Sequence, residues 1–234
     1  MKNQIDEILE EEQAAAMLEN IRDYVSENGA YAAKIKAISE ETLLQIFESK
    51  KYSIKTKYGA VEMLVEQNST RIVAPLLQFL NSFFNFELDS EDDLPETAIH
   101  LSSFATYLGY IPTLETYEGL KKFLNRLLAE NPGHKQIFLN NIIISLARVS
   151  IKLSMMDAIP LLRAAISYIA YPPDTNDLRI MIGYFDDLND PESIKKILTE
   201  HVRIGMGDIE YKCLNLLQKY DPDFVKQWQV ENWR

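Results

Sequence analysis

Two segments of this chain nearly match each other, and each carries a proline ahead of two leucines. Residues 72–80 read Ile-Val-Ala-Pro-Leu-Leu-Gln-Phe-Leu, and residues 157–166 read Asp-Ala-Ile-Pro-Leu-Leu-Arg-Ala-Ala-Ile. Their prolines, Pro75 and Pro160, lie 85 positions apart, which is about two steps of the roughly 40–47-residue period of stacked helix pairs. The match therefore predicts an all-α chain in which each helix pair packs on its neighbours.

Helix-starting residues and apolar spacing favour the same architecture. Asp190-Pro191 and Asp221-Pro222 are typical helix starts, because aspartate accepts hydrogen bonds from free backbone amides and proline fits the first turn. Pro75 lacks a backbone donor, so it is expected to bend its helix or to shift the helix start. We expect eleven or twelve helices with short loops, no strands, and a single domain over residues 1–234. The residues expected to begin further helices are Ser69 or Thr70, Pro95, Pro112, Asp157, and Asp174 or Thr175.

The composition indicates a folded and acidic chain. Of the 234 residues, 47% are hydrophobic, and the formal net charge is −11. That hydrophobic content supports a packed core and argues against disorder. The negative charge repels nucleic acids and anionic lipid surfaces, so it favours a basic partner or simply keeps the protein soluble.

Three features indicate a cytoplasmic chain. Cys213 is the only cysteine, so no internal disulfide can form and a reducing compartment is expected. Residues 1–12 are rich in acidic side chains, unlike the basic start of a secretory signal. No apolar run approaches the ~18–20 residues of a membrane-spanning helix. We therefore expect no membrane partner.

No motif in the sequence predicts catalysis. The three histidines, His100, His134 and His201, have no cysteine or carboxylate at zinc-binding spacing. Gly205-Met206-Gly207 lacks the lysine and preceding strand of a phosphate-binding loop. Cys213 lies in an apolar helical pattern typical of a small core residue. We expect no catalytic residue, no metal and no cofactor.

The chain resembles HEAT and armadillo-like α-solenoid repeat proteins over roughly residues 53–230. Pro75-Leu76-Leu77 and Pro160-Leu161-Leu162 carry the resemblance, and residues 120–124 echo residues 194–198. The aspartate and arginine positions common in such repeats are mostly absent. The resemblance implies a right-handed α-solenoid of about five to six helix pairs, with residues 1–50 as N-terminal capping helices. It also implies that the second helices share one face; their segments are 70–86, 113–130, 157–171 and 191–203. An irregular multi-helix bundle is the alternative fold.

The leading functional hypothesis is a non-catalytic, acidic module or adaptor that binds another protein, one with a basic surface. A sharper version is an inhibitor of a basic partner, such as an immunity protein or antitoxin. The candidate protein-binding residues are Asp89, Glu91, Asp92, Asp93, Tyr117, Tyr168, Tyr171, Asp186 and Asp187. Asp186 and Asp187 lack the spacing of a calcium-binding loop, so solvated acids are expected there.

Two alternatives remain open. One is a HEAT-like enzyme of the glycosylase type that acts on nucleic acid, for which the lysines at positions 50, 51, 55 and 57 form a short basic patch. Four lysines in so acidic a chain are weak support, and we expect no nucleic-acid partner. The other alternative is a structural subunit that assembles with itself, because the sequence does not predict the oligomeric state.

Overall fold

The computed structural model of this chain describes residues 38–82, 96–130, 139–168, 175–204 and 208–232. These ranges contain eleven α-helices and no β-strand, which confirms the predicted all-α class. The helices are α1 (Glu40–Glu48), α2 (Ile54–Glu66), α3 (Val73–Ser82), α4 (Glu96–Leu108), α5 (Leu114–Ala129), α6 (Leu139–Leu153), α7 (Ile159–Ile166), α8 (Thr175–Asp187), α9 (Pro191–Ile204), α10 (Asp208–Tyr220) and α11 (Pro222–Asn232). None of these helices has both the length and the apolar character needed to cross a bilayer.

Both Asp-Pro helix starts are confirmed. Asp190 Oδ1 lies 3.4 Å from the backbone nitrogen of Ser193, and Asp221 Oδ1 lies 3.1 Å from that of Phe224. Each proline is the first residue of its helix. A backbone amide at that position would have no acceptor within the helix, so proline loses no hydrogen bond there. Local chemistry therefore sets the start of α9 and α11.

The prolines earlier in the chain act in two different ways. Pro75 is the third residue of α3, so the helix start is shifted and the proline lies in the first turn, as expected. The prediction that Pro112 opens a helix is wrong by two residues. Instead, α5 begins at Leu114, because the hydroxyl of Thr113 accepts a hydrogen bond from the backbone nitrogen of Thr116 at 3.0 Å.

The predicted cap at Asp157 is wrong, because residues of a neighbouring helix bind its carboxylate. Ser69, one of the two residues expected to begin α3, donates its hydroxyl hydrogen to Glu40 Oε1 at 2.5 Å. Asp157 bonds to side chains of α5, and the first turn of α7 has no side-chain cap.

The chain divides into two compact units, residues 1–116 and residues 117–234, with the boundary inside α5. In the described part of the first unit, α2 packs on α1 and α4, and α3 packs on α4. The core of this unit contains a group of aromatic rings, in which Phe47 and Phe79 both contact Phe104 edge-on. The expectation of a single domain stays a prediction.

In the second unit, neighbouring helices in the sequence are also neighbours in space. The consecutive helices α6 and α7, α8 and α9, α9 and α10, and α10 and α11 pack together, and the contact between α9 and α10 is the most extensive. In addition, α6 packs on α8, and α7 packs on α9. Helix α6 is strongly apolar, and nine of its fifteen residues are buried. Side-chain ion pairs also join α5 to α7, α7 to α9 and α9 to α11.

Candidate functional site

Five of the nine candidate binding residues lie outside the described ranges. These are Asp89, Glu91, Asp92, Asp93 and Tyr171. Tyr168, Asp186 and Asp187 are described and exposed, and 44% of Tyr168 is accessible. Tyr168 follows the end of α7, whereas Asp186 and Asp187 end α8. Among the described contacts, none joins Tyr168 to the two aspartates, so their role in binding stays a prediction.

Tyr117, the remaining candidate, is fully buried in the second unit. Its hydroxyl donates a hydrogen bond to Asp157 Oδ1. Burial, followed by this hydrogen bond, raises the pKa of the Tyr117 hydroxyl. The ring is therefore a packing element, and Tyr117 can influence a partner only through the position of Asp157.

Asp157 also forms an ion pair with α5. Its Oδ2 lies 2.7 Å from Lys121 Nζ, which in turn lies 4.9 Å from the centre of the Tyr117 ring. The hydrogen bond from Lys121, followed by that from Tyr117, lowers the pKa of Asp157. The same contact with Asp157 raises the pKa of Lys121. This pair joins the middle of α5 to the start of α7.

A second ion pair joins α7 to the start of α9. Arg163 donates to Asp190 Oδ1 at 2.5 Å, and only 3% of the Asp190 side chain is exposed. Asp190 also accepts the hydroxyl hydrogen of Ser193 at Oδ2. A parallel link comes from Lys196, which donates to the carbonyl oxygen of Arg163 at 2.9 Å.

A third ion pair joins α9 to the start of α11. Lys195 Nζ lies 2.8 Å from Asp221 Oδ2. The hydrogen bond from Lys195, followed by that from the Phe224 backbone, lowers the pKa of Asp221, and the same contact raises the pKa of Lys195.

The three pairs form a series that we call the ion-pair ladder: Lys121–Asp157, Arg163–Asp190 and Lys195–Asp221. In each pair, a basic residue of one helix meets an aspartate just ahead of the helix two places later. Arg163 and Lys195 are both the fifth residue of their helices. The ladder links helices from segments 113–130, 157–171 and 191–203. That these segments share one face stays a prediction of the resemblance to α-solenoids.

Sequence reasoning missed the ladder, although a signal was present. A basic residue follows Asp157 by six positions and Asp190 by five positions. On a helix, this spacing leaves the aspartate at the N-terminal end and the basic side chain in the second turn. Neither residue can pair with the other at that distance along the helix, so each is available to a neighbouring helix.

The first unit has a comparable link with the charges reversed. Arg71, ahead of α3, lies 3.3 Å from Glu40 and 2.9 Å from Glu41 in the first turn of α1. The hydrogen bond from Ser69 is the main reason why the pKa of Glu40 is lowered. Gln67 donates to the carbonyl oxygen of Ile38 at 2.9 Å. These bonds connect the starts of α1 and α3.

The predicted basic patch is not one continuous charged surface. Lys50, Lys51 and Lys55 are exposed, but Lys57 is only partly exposed. Its Nζ lies 5.5 Å from the centre of the Phe79 ring and 5.8 Å from that of Phe47. Burial lowers the pKa of Lys57, so its ammonium contributes less to a binding surface than a solvated one.

The cysteine and one histidine are core residues. Cys213 is fully buried, as expected, and burial raises the pKa of its thiol to about 11. The thiol is therefore protonated near neutral pH and is a poor nucleophile. His201 is also buried, and its Nδ1 lies 2.8 Å from the carbonyl oxygen of Ile197. Within the described ranges, no group of three or more His, Cys, Asp or Glu side chains is arranged to hold a metal ion.

The formal charge is divided unequally between the two units. Residues 117–234 contain 15 acidic and 15 basic residues, so the whole charge of −11 resides in residues 1–116. No protein-family model matches this chain, and no curated protein or solved structure shows significant similarity to it.

Proposed function

We propose that this chain is a non-catalytic helical-repeat protein of the HEAT or armadillo-like type that binds another protein. The ion-pair ladder carries the proposal, because the same contact between a helix and the helix two places later occurs three times. A contact that recurs from one repeat to the next is expected in a right-handed α-solenoid, in which each repeat contacts its neighbours. Such a stack of five to six helix pairs would display a long surface for a protein partner.

The partner that fits best has a basic surface, and it meets the first unit. Because residues 117–234 are formally neutral, the attraction for a basic protein must come from residues 1–116. Asp89, Glu91, Asp92 and Asp93 form the densest group of acidic residues in that part of the sequence. On this proposal, Asp186 and Asp187 are secondary, because basic side chains balance them within the same unit.

An inhibitor of a basic protein is the sharper form of the proposal. An acidic inhibitor would associate quickly with such a target, since opposite charges steer the encounter. Immunity proteins and antitoxins are inhibitors of this kind, and a cytoplasmic location is part of the proposal.

The test is a pull-down with the tagged full-length chain from native lysate, with bound proteins eluted by rising salt and identified by mass spectrometry. We expect one stoichiometric basic protein that is released as the salt screens the contact. The purified partner is then titrated against a variant in which Asp89, Glu91, Asp92 and Asp93 become the matching amides. Asp186→Asn with Asp187→Asn serves as the control.

The amide variant of the first unit should lose most of the affinity and most of its salt dependence, while the control keeps both. Equal affinity of the two variants would refute the assignment to the first unit. A folded chain with no specific partner would contradict the binding proposal itself. Light scattering that shows a monomer at high concentration would remove the alternative of self-assembly.

A further inference from the structure

Two tyrosines of the first unit hold their hydroxyl groups against each other. Tyr107 of α4 donates a hydrogen bond to the hydroxyl oxygen of Tyr58 of α2 at 3.0 Å. The centres of the two rings lie 5.4 Å apart, and the ring planes are inclined by 55°. Because the hydroxyl oxygens are closer together than the ring centres, the rings converge at their hydroxyl ends. The ring carbons next to the two hydroxyls are therefore also near each other.

Core packing holds the tyrosine pair in place. The Tyr58 ring also contacts the ring of Phe104, whose centre is 5.9 Å away. Phe104 precedes Tyr107 by three positions, so the two side chains are neighbours on the surface of α4. Phe104 is fully buried, whereas Tyr58 and Tyr107 are partly exposed. The pair is thus fixed from the core side while part of it remains in contact with solvent.

A carboxylate lies close to the pair. Glu62 follows Tyr58 by four positions, so the two side chains lie on the same face of α2. Burial, followed by the hydrogen bond with Tyr58 and the charge of Glu62, raises the pKa of Tyr107. The Tyr107 hydroxyl therefore keeps its proton at neutral pH, and a group that can accept this proton is nearby.

We propose that Tyr58 and Tyr107 form a site of oxidative modification, at which a one-electron oxidant joins the two rings through a carbon–carbon bond. Each tyrosine gives one electron to the oxidant and its phenolic proton to Glu62 or water, which leaves two phenoxyl radicals. A bond forms between the ring carbons next to the two hydroxyls. Each of these carbons then loses its hydrogen as a proton, and each phenolic oxygen takes one up. In total, two electrons and two protons leave the pair, and two equivalents of oxidant are reduced.

Proximity carries the proposal. Radicals on exposed tyrosines of separate molecules must meet by diffusion, whereas those of Tyr58 and Tyr107 arise in contact, and such held proximity greatly raises the rate of coupling. The product joins α2 to α4 through residues that are 49 positions apart in the sequence. Like a disulfide, a cross-link that closes a loop restricts the unfolded chain and so stabilises the folded one. The cross-link forms without any partner, so it is independent of the binding function proposed above.

The test uses the full-length chain at low concentration. The one-electron oxidant is tris(bipyridyl)ruthenium(III), generated by brief illumination with persulfate. Peptide mapping by mass spectrometry should find a monomer lighter by two hydrogen atoms, in which the peptides that contain Tyr58 and Tyr107 are joined. Tyr58→Phe should lower the yield of this cross-linked monomer about tenfold or more. Tyr211→Phe, at an exposed tyrosine of α10, is the matched control and should react like the wild type.

Mapping of the wild type locates the new bond without any variant, so a variant that folds poorly cannot obscure the result. The cross-linked wild type should also melt at a higher temperature than the unreacted protein. A monomer in which Tyr58 and Tyr107 are not joined to each other, although the exposed tyrosines have reacted, would overturn the proposal. Equal yields of cross-linked monomer from the wild type and Tyr58→Phe would overturn it as well. Titration of the basic partner with unreacted protein reports separately on the binding function.

Discussion

The guanidinium of Arg163 lies 2.5 Å from the carboxylate of Asp190, which is almost completely buried. Asp190 also accepts hydrogen bonds from the hydroxyl and the backbone amide of Ser193. The carboxylate of Asp190 therefore caps the start of α9 and also forms the ion pair that joins α9 to α7. Removing this side chain takes away a helix cap and leaves the polar groups around it without an acceptor.

Asp190→Ala should lower the free energy of unfolding by about 2–4 kcal/mol, which combines the loss of a cap with the loss of a largely buried charge partner. Urea titration followed by circular dichroism measures the change. Asp223→Ala is the control, because that side chain is 94% exposed and should matter little. Equal unfolding midpoints for the two variants would contradict the role of Asp190.

Gly183→Ala should stabilise the protein. Gly183 lies inside α8 on an exposed face, and a β-carbon added there would meet nothing within 4 Å. Alanine is favoured over glycine in a helix by roughly 0.5–1 kcal/mol, mainly because glycine loses more conformational freedom on folding. Thermal melting measures the gain. A lower melting temperature would show that the backbone at Gly183 is more crowded than the structure indicates.

The stability of the protein should fall as the pH drops below about 6.5, the ordinary pKa of histidine. Burial lowers the pKa of His201 in the folded state, and its Nε2 is buried without a hydrogen-bond partner among the described residues. Between the lowered and the ordinary pKa, the unfolded chain binds a proton that the folded chain does not. The slope approaches about 1.4 kcal/mol per pH unit.

His201→Asn should flatten this dependence, whatever its effect on stability at neutral pH. Urea titrations of both proteins between about pH 5 and pH 8 supply the comparison, and the other two histidines titrate equally in both. Identical slopes for the wild type and the variant would show that His201 takes up its proton as easily in the folded state as in the unfolded one.

Lys57→Met should raise stability by less than about 1 kcal/mol. The partly buried ammonium loses hydration, which lowers its pKa, and its attraction to the Phe47 and Phe79 rings compensates for only part of that cost. Methionine keeps the apolar stem over the rings. Lys50→Met, at an exposed lysine of the same patch, is the control for the loss of charge. Destabilisation by Lys57→Met alone would mean that the cation–π contacts outweigh desolvation.

The all-α class and several helix starts could be predicted because they depend on neighbours in the sequence. The carboxylates of Asp190 and Asp221 lie within reach of amides three residues later, so their caps form in any fold that makes the helix. Similarly, proline is tolerated in the first turn of a helix and disfavoured in later turns, so Pro75 predicts a nearby helix start. Thr113 shows the limit of such reasoning. Pro112 was expected to begin α5, but the cap is the neighbouring threonine.

The sequence by itself determined the helices, most of their starts and the total charge, because these follow from residues a few positions apart and from composition. Only the tertiary structure decided that Asp157 pairs with Lys121 instead of capping α7, and that Tyr117 is buried. The ladder partners are separated by 26 to 36 positions, so their meeting depends on which helices pack together. That choice is made by apolar surfaces that fit together in three dimensions. The spacing of aspartates and basic residues shows which charges are available, but it does not show which helices will meet.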